Sequence, residues 1–431
     1  MKLTRRSFLG TSAAAVMAAG TMSRSTVIGA NDRIGVCVVG VNGQGNTHIR
    51  SYMNSPDSEL VAICDADERV LNGRRDQIKN DHDHDLKTYV DIRDALADDD
   101  IDVISIASPN HWHALSAIWA CQAGKDVYVE KPASHNVFEG RQLIAAAEQY
   151  GQIIQHGTQS RSDKRWMRDI KLLQSGEIIG PLHTARALGY KHGRRDSIGF
   201  AEPESPPDGL HWRLWQGPAS EQPYISLYHP YNWHWFWHYG NGEIGNQGVH
   251  QMDIAAWGMN KGLPVSVHSA GGRYTYEDQA ETPNTNVATF TFADGTMMVF
   301  DVRNRFTNDE SGVRVGNLFY GSDGYYVQDK GFFDAADNPI ELDESEYPYP
   351  ESNGAFQNFL DAVKSRNPAE IQGNMEDAHV SNTCCHLANI SYRLKRSLQF
   401  DPEQETFVDA SDADALLTRE YHPDFEVPKL A

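Results

Sequence analysis

The first third of the chain alternates short apolar runs with helical patterns. Helices are predicted at 114–123 and 137–150, and each is followed by a glycine, which is typical of a helix end. Strands are predicted for the apolar runs at 34–39, 60–64, 101–107 and 126–130. Buried strands that alternate with helices predict a doubly wound parallel sheet with helices on both faces.

The pattern changes after about residue 182. Residues 285–292 and 296–302 alternate apolar and polar side chains, and the Ala-Asp-Gly sequence between them is typical of a hairpin. Helical patterns return at 355–364 and 376–398. We therefore predict an α/β protein whose C-terminal part is an α+β domain with an antiparallel sheet.

The first 30 residues resemble an export signal and not part of a folded domain. Arg5 and Arg6 form a twin-arginine pair, a weakly apolar stretch follows at 11–19, and residues 28–30 offer a cleavage site. The apolar stretch is too short to span a bilayer of ~30 Å, and no later run reaches ~18 apolar residues. We expect a protein exported through the twin-arginine pathway, to the periplasm or otherwise, with no membrane insertion after signal removal.

The net charge excludes some classes of partner. The chain has 38 Lys and Arg residues against 59 Asp and Glu residues, a formal charge of −21. So acidic a chain repels phosphate backbones and anionic lipids, and we therefore expect neither nucleic acid nor a membrane surface as its partner. A small neutral ligand such as a sugar fits this charge better.

A glycine-rich turn follows the first predicted strand and opens a helix, so that backbone amides can approach a pyrophosphate. Asn42 stands where the usual pattern has its second glycine, and asparagine tolerates positive φ better than most residues. Asp65 ends the second strand, 20 residues after the turn, where a carboxylate accepts hydrogen bonds from ribose hydroxyls and repels a 2′-phosphate. NAD is therefore the predicted cofactor. The turn comprises Gly40, Val41, Asn42, Gly43, Gln44 and Gly45.

Glu130, Lys131 and Pro132 end another predicted parallel strand, on the edge where ligands of doubly wound sheets bind. Lys131 there can donate a hydrogen bond to a substrate hydroxyl and help to deprotonate it while hydride leaves the same carbon. A lysine at a strand end is also a common surface charge, so the position alone leaves both interpretations open.

The glycine-rich turn, Asp65, the Glu-Lys-Pro sequence and the three further motifs given at the end of this paragraph resemble the Gfo/Idh/MocA family of glucose–fructose oxidoreductase and inositol dehydrogenase. The resemblance runs from about residue 31 to the C-terminus. The resemblance implies an α/β domain after the nucleotide domain, with a large open sheet that forms homodimers or homotetramers. We expect a signal peptide at 1–30, an NAD-binding Rossmann domain at 31–155 and a substrate-binding and oligomerisation domain at 156–431. The further motifs are Ser-Pro-Asn-His-Trp-His at 108–113, Gly-Thr-Gln at 157–159 and Gly-Asn-Gln-Gly-Val-His at 245–250.

The resemblance also implies which residues form the site. Lys131 is expected to bind the reacting hydroxyl, His250 to act as acid and base, and the Lys131–Pro132 bond to be cis. Cofactor contacts are expected from Gly40, Asn42, Gly43, Gln44, Gly45, Asp65, Ser108, Asn110, His113, Glu130 and Lys131. Substrate contacts are expected from Lys131, Asn246, His250, Asp253, Arg161 and Tyr190, the last three of which suit a structural role equally well.

One position departs from the family. The catalytic Asp-x-x-x-His of the family maps onto Asn246 and His250, so the aspartate is missing. A carboxylate beside an imidazole favours its protonated form and helps it to take a proton. The amide of Asn246 can orient the ring or bind substrate but cannot supply that charge. General base catalysis contributes ~10²–10⁴ in rate, so oxidation of an ordinary alcohol is expected to be slower or differently arranged. Asn246 suits a catalytic role and a substrate contact equally well.

Three other features have competing interpretations. The aromatic run at 228–239 can stack on sugar rings or fill a core, and we expect His234 or His238 near the pocket. The Asp-His-Asp-His-Asp segment at 81–85 is interpreted as a solvated loop, and no metal is expected. The five cysteines are interpreted as structural thiols, since their spacing matches no metal site or haem attachment.

The sequence therefore predicts an exported NAD(H)-dependent oxidoreductase that acts on a sugar, polyol or glycoside and holds its cofactor tightly. Two alternatives remain open. One is an NAD-dependent glycoside hydrolase or lyase that oxidises its sugar transiently. The other is a non-catalytic sugar-binding protein on the same scaffold, which the missing aspartate permits.

Overall fold

The N-terminal part of the protein is built on a six-stranded parallel sheet. The computed structural model describes residues 33–191, 197–304 and 307–431, and the predicted signal peptide at 1–30 lies outside them. The strands are β1 (Ile34–Val39), β2 (Ser58–Cys64), β3 (Lys87–Tyr89), β4 (Val103–Ile106), β5 (Asp126–Glu130) and β6 (Ile154–Gly157). Their order is β3-β2-β1-β4-β5-β6, which is the predicted doubly wound Rossmann arrangement.

Five helices connect these strands and cover the sheet. All residues of β1, β4 and β5 are buried, as expected of strands covered on both faces. The helix predicted at 137–150 is confirmed: the Asn136 side chain caps its start, and Gly151 ends it with φ +68°. The helices are α1 (Gly45–Asn54), α2 (Glu68–His82), α3 (Ile92–Leu96), α4 (Asn110–Gln122) and α5 (Val137–Tyr150).

The C-terminal part contains a ten-stranded sheet. Its helices are α6 (Lys164–Ser175), α7 (Trp212–Gln216), α8 (Val249–Met259), α9 (Ala355–Ser365), α10 (Met375–Leu394) and α11 (Ser411–Asp414). Its strands are β7 (Leu182–Gly189), β8 (Ser266–Gly272), β9 (Thr285–Thr291), β10 (Met297–Arg303), β11 (Val315–Gly321), β12 (Gly324–Val327), β13 (Gly331–Asp334), β14 (Pro339–Ile340), β15 (Leu398–Asp401) and β16 (Thr406–Phe407).

This sheet is antiparallel except for one pair. Its order is β14-β13-β12-β11-β7-β10-β9-β8-β15-β16, and only β7 and β10 pair in parallel. A long connection separates these two strands, so no tight turn forces them to run in opposite directions. One face packs on α8 and α10 through buried residues such as Phe290 and Phe300. Val287 and Met297 point to the other face and are exposed.

The helix predicted at 376–398 is too long at its end. Helix α10 stops at Leu394, because Lys395 adopts a left-handed conformation with φ +56°. Leu398 and Phe400 are then buried on one side of β15. In the sequence, these two apolar residues look like the end of the helical pattern. In the structure, the segment pairs with β8 and is a strand.

The five cysteines are buried and unpaired, as expected of structural thiols: Cys37, Cys64, Cys121, Cys384 and Cys385. Within the described ranges, no helix combines the length and apolar character that a membrane span requires.

Two glycine-to-alanine substitutions test the packing of α8 on the large sheet. A Cβ atom on Gly258 would overlap the ring of Phe319, whereas one on Gly73, in exposed α2, would meet no atom within 4 Å. We expect Gly258→Ala to lower the free energy of unfolding by about 1–3 kcal/mol through overpacking. Gly73→Ala should raise it by about 0.5–1 kcal/mol, because alanine favours a helix interior. Urea unfolding of both variants checks the signs, and two equal shifts would contradict this packing.

Candidate active site

A cavity of about 720 Å³ lies at the carboxyl ends of the parallel strands. This is the edge at which doubly wound sheets bind their ligands. The C-terminal part contributes to its wall through the segment before α8. The sequence-predicted residues that line the cavity are Gly40, Asn42, Gly43, Gln44, Asp65, Ser108, Asn110, His113, Glu130, Lys131, Asn246 and His250.

The turn between β1 and α1 owes its shape to two glycines. Gly40 has φ +83°, and a Cβ atom there would lie 2.6 Å from the backbone nitrogen of Ser108. A Cβ atom on Gly45 would overlap the carbonyl oxygen of Gly40. Gly43 has open space around it, and Asn42 does not adopt the positive φ that its residue type tolerates. The absence of side chains therefore lets Gly40 approach the backbone that follows β4 and lets Gly45 pack against the carbonyl of Gly40.

Asp65 holds this turn from the end of β2. Its carboxylate accepts hydrogen bonds from the backbone amides of Val41 (2.9 Å) and Asp67 (3.0 Å). Burial raises the pKa of Asp65 to about 6, although both amides oppose the shift. A carboxylate that lines the cavity beside the turn is placed to meet ribose hydroxyls.

The cavity wall also offers polar groups that the fold itself does not use. The hydroxyl oxygens of Ser108 and Ser116 are buried and have no hydrogen-bonding partner among the described residues. Buried hydroxyls are ordinarily satisfied. These two hydroxyls suit the binding of a dinucleotide, together with the start of α1 and the turn at Gly40, where no side chain blocks the approach.

A buried carboxylate connects the turn to the lysine-bearing strand. Glu130 accepts hydrogen bonds from the side chains of Gln44 (3.1 Å) and His48 (3.2 Å) and from the amide of Lys131 (3.2 Å). Burial alone would raise the pKa of Glu130, but His48 and then Lys131 lower it to about 2. The other ring nitrogen of His48 contacts the Ser105 hydroxyl at 2.8 Å. Glu130 therefore stays ionised and fixes the start of the lysine segment.

Lys131 reaches across the cavity to the C-terminal part. The peptide bond between Lys131 and Pro132 is cis, as the resemblance implies. The Lys131 Nζ donates a hydrogen bond of 3.0 Å to the backbone carbonyl of Asn246. That carbonyl lies in a π-helical turn, Ile244–Gly248, that runs directly into α8. Such turns carry one extra residue and are frequent at functional sites.

His250, in the first turn of α8, shares the cavity with Lys131. Burial, together with the nearby charge of Lys131, lowers the pKa of His250 to about 3, while Glu130 and Asp253 oppose the shift. Its Nδ1 is enclosed and has no hydrogen-bonding partner among the described residues. At neutral pH the ring is therefore neutral and able to accept a proton.

Two family models match these two parts of the chain. The model of the oxidoreductase family NAD-binding Rossmann fold matches residues 34–158, and that of the oxidoreductase family C-terminal alpha/beta domain matches residues 168–427. The chain belongs to the Gfo/Idh/MocA oxidoreductase family. Its N-terminal domain is the NAD-binding domain of this oxidoreductase family.

Curated relatives match the chain over a limited length. Inositol 2-dehydrogenase of Salmonella typhimurium is 31% identical over 147 residues, which cover 34% of this chain and 43% of that protein. A glycosyl hydrolase family 109 protein of Shewanella baltica is 34% identical over 121 residues, 27% of this chain and 26% of that protein. The chain thus matches less than half the length of either relative.

A solved structure shows the same fold over nearly the whole chain. The WlbA dehydrogenase from Bordetella pertussis, in complex with NADH and UDP-GlcNAcA, is 18% identical and has a TM-score of 0.64. The match covers 86% of this chain and 99% of that one. At this identity the likeness concerns the fold.

Three residues that the sequence suggested as substrate contacts of this Gfo/Idh/MocA protein do not line the cavity. Asp253 accepts two hydrogen bonds from Arg161, at 2.8 and 3.0 Å, and Arg161 also pairs with Asp377. The Tyr190 hydroxyl donates to Asp301 at 2.8 Å on the large sheet. Their polar groups are engaged by other side chains outside the cavity lining, which fits the structural role that the sequence suggested equally, and substrate contact by these three stays a prediction.

His113 and Asn110 line the cavity but also have structural partners. The two ring nitrogens of His113 lie 2.6 and 2.7 Å from the carbonyls of Pro132 and Ser108. The Asn110 amide donates to Asn241 at 3.2 Å. His113 thus braces the segment after Lys131, and Asn110 joins the two domains.

The aromatic run fills part of a core and also contributes to the cavity wall. Trp233 and Tyr239 are buried in an aromatic cluster with Trp215. His234 lines the cavity, whereas His238 contacts the Ser220 hydroxyl and is not part of the lining. The segment from residue 209 to 234, here called the cap segment, therefore joins a core to the cavity wall.

Some site residues were missed by sequence reasoning. His48 lies three residues after Gly45 on the buried face of α1, and that spacing was the available signal. Trp215 and His229 line the cavity from the cap segment, and no local pattern points to them.

The Asp-His-Asp-His-Asp segment is tied into surface contacts. Lys79 pairs with Asp83 and Asp85, and His84 contacts the carbonyl of Leu60. No group of three or more His, Cys, Asp or Glu side chains in the described parts of the chain is arranged to hold a metal ion.

The buried Arg161–Asp253 pair gives a stability prediction. Arg161 keeps the pKa of Asp253 below its ordinary value despite burial. Asp253→Asn should lower the free energy of unfolding by up to about 3–5 kcal/mol, because it leaves the buried Arg161 charge with Asp377 as its remaining carboxylate partner. Asp83→Asn, at an exposed helix end, should leave stability unchanged. Equal urea midpoints for both variants would contradict the structural role of the pair.

Proposed function

We propose that this protein is an exported NAD(H)-dependent oxidoreductase that acts on a sugar, polyol or glycoside and keeps its cofactor bound through turnover. The observation that carries the proposal is the meeting of three elements in one cavity. The Gly40 turn comes from the first strand, Lys131 from the fifth, and His250 from the C-terminal part.

The side chains divide the chemistry between them. When bound, NAD supplies the hydride acceptor at the substrate carbon. Lys131 donates a hydrogen bond to the hydroxyl on that carbon and lowers the cost of its deprotonation. His250 accepts the hydroxyl proton at Nε2, since Nδ1 is enclosed. Asn246 positions the Lys131 ammonium through its backbone carbonyl, so this contact survives the loss of the family aspartate.

The lining of the cavity supports a neutral carbohydrate-like substrate. Tyr231, Trp233 and His234 contribute ring faces, which suit the apolar faces of sugars. Lys131 is the single lysine or arginine among the described lining residues. A substrate with several phosphates or carboxylates therefore finds little charge compensation here.

Export and assembly belong to the same proposal. The twin-arginine pathway carries folded proteins, so NAD is loaded before export and reset in place by a second substrate or by the same sugar. The exposed side of the large sheet, with Val287 and Met297, is the surface on which we expect homodimers or homotetramers to form.

A second candidate is glycoside cleavage through transient oxidation of the sugar. The likeness to a glycosyl hydrolase family 109 protein favours it. It would release the aglycone without net accumulation of NADH. Product analysis by mass spectrometry separates it from net oxidation, which yields a keto sugar.

The deciding experiment identifies the nucleotide released from denatured native protein and then screens sugars for a change in its redox state. We expect NAD or NADH, and we expect Lys131→Ala to lower turnover by about 10²-fold or more. Lys171→Ala, an exposed lysine on α6, is the matched control and should turn over normally. Protein that carries no nucleotide and binds none would contradict the proposal. Sugar binding without any redox change, unaltered in Lys131→Ala, would indicate a non-catalytic binder.

The depressed pKa of His250 predicts the pH dependence of sugar oxidation. The proton-accepting form prevails above pH values of about 3, so activity should not fall as pH is lowered from 8 to 5 through titration of His250. The pH profile of kcat/KM for the sugar, with NAD saturating, reports this group in the enzyme–NAD complex before the sugar binds. A limb near pH 6.5 that disappears in His250→Asn would contradict the assignment.

A further inference from the structure

The cap segment is fastened to the nucleotide domain at the end of β2. The Glu68 amide donates to the carbonyl of Gly209 (2.8 Å), and the His211 amide donates to the carbonyl of Ala66 (2.9 Å). Leu210 thereby forms an antiparallel bridge with Asp67. This anchor lies immediately after Asp65, the carboxylate expected at the ribose.

A second anchor lies at the start of α4. The Trp112 indole donates to the carbonyls of Leu214 and Trp215, both at 3.0 Å. The His111 Nε2 lies 2.9 Å from the same Trp215 carbonyl. Gly217 packs so closely on Trp112 that a Cβ atom would overlap the indole. These four contacts hold the cap segment on this side.

The two anchors stand on opposite sides of the glycine-rich turn. In the sheet order, β1 lies between β2 and β4, and the turn at Gly40 follows β1. The cap segment therefore bridges the cleft above this turn. Beyond the bridge it returns to the cleft at His229, whose Nε2 lies 3.6 Å from the Asp67 carboxylate. Trp215, His229 and Pro230 line the same cavity as Asp65.

We infer that the cap segment forms part of the cofactor site: Trp215 and His229 cover the adenosine half of bound NAD, so that the nucleotide leaves only when an anchor opens. This inference rests on the proposed NAD-dependent function. The position of the anchors sets the orientation, because Asp65 marks the ribose side and Lys131 marks the opposite, reactive end. The cap segment over the adenosine half retains the cofactor, while the reactive end remains open to substrate.

The release rate of NAD tests the inference. Protein preloaded with labelled NAD is mixed with excess unlabelled NAD, and the loss of bound label is followed. His229→Ala and Trp215→Ala should each release NAD about tenfold faster or more, since lost contacts act mainly on dissociation. His238→Ala is the matched control, because His238 closely follows the cap segment in sequence and its ring lies outside the cavity lining. Release at the wild-type rate from both folded cap variants would overturn the inference.

A measurement on the wild-type protein avoids any folding defect of the variants. Hydrogen exchange of the amides of Glu68 and His211, which form the first anchor, should slow when NAD is added. Protection confined to the Gly40 turn, with these amides unchanged, would overturn the inference. It would leave the proposed function intact if NAD is bound and sugar is oxidised. A protein that binds no NAD overturns both.

Discussion

The buried carboxylate of Glu130 is the interaction on which the site depends. It receives hydrogen bonds from Gln44 in the glycine-rich turn, from His48 in the following helix and from the amide of Lys131. An ionised carboxylate in so enclosed a place is stable only when donors surround it. The same contacts that satisfy Glu130 therefore fix the position of Lys131 relative to the glycine-rich turn.

The C-terminal part completes this arrangement through a single irregular turn. The π-helical turn before α8 directs the Asn246 carbonyl to Lys131 and begins the helix that carries His250. The ring is kept neutral by burial and by the neighbouring ammonium. In this family member the missing aspartate is not replaced by another carboxylate on the ring: Asp253 is engaged by Arg161, and Glu130 by the turn. At neutral pH the ring is thus uncharged, as the proposed role of His250 as proton acceptor requires.

The fold follows from local signals more completely than the site does. Strand β5 and helix α5 lie where the apolar pattern and the Asn136 and Gly151 signals predict them, because both depend on adjacent residues. The partners of Arg161, Asp253 and Tyr190 could not be predicted, since they are distant in sequence and no local pattern reveals them. The same reason hides His229, which reaches the cavity only because the cap segment crosses between domains.

The central claim is that the cavity orients NAD with its reactive ring between Lys131 and His250. A crystal structure of the protein with NAD and the oxidised sugar tests it most directly. The account predicts the pyrophosphate on the turn that begins at Gly40, and the nicotinamide C4 about 3–3.5 Å from the sugar carbon whose oxygen Lys131 binds. A nucleotide bound in the reverse direction, or a sugar bound away from Lys131 and His250, would contradict it.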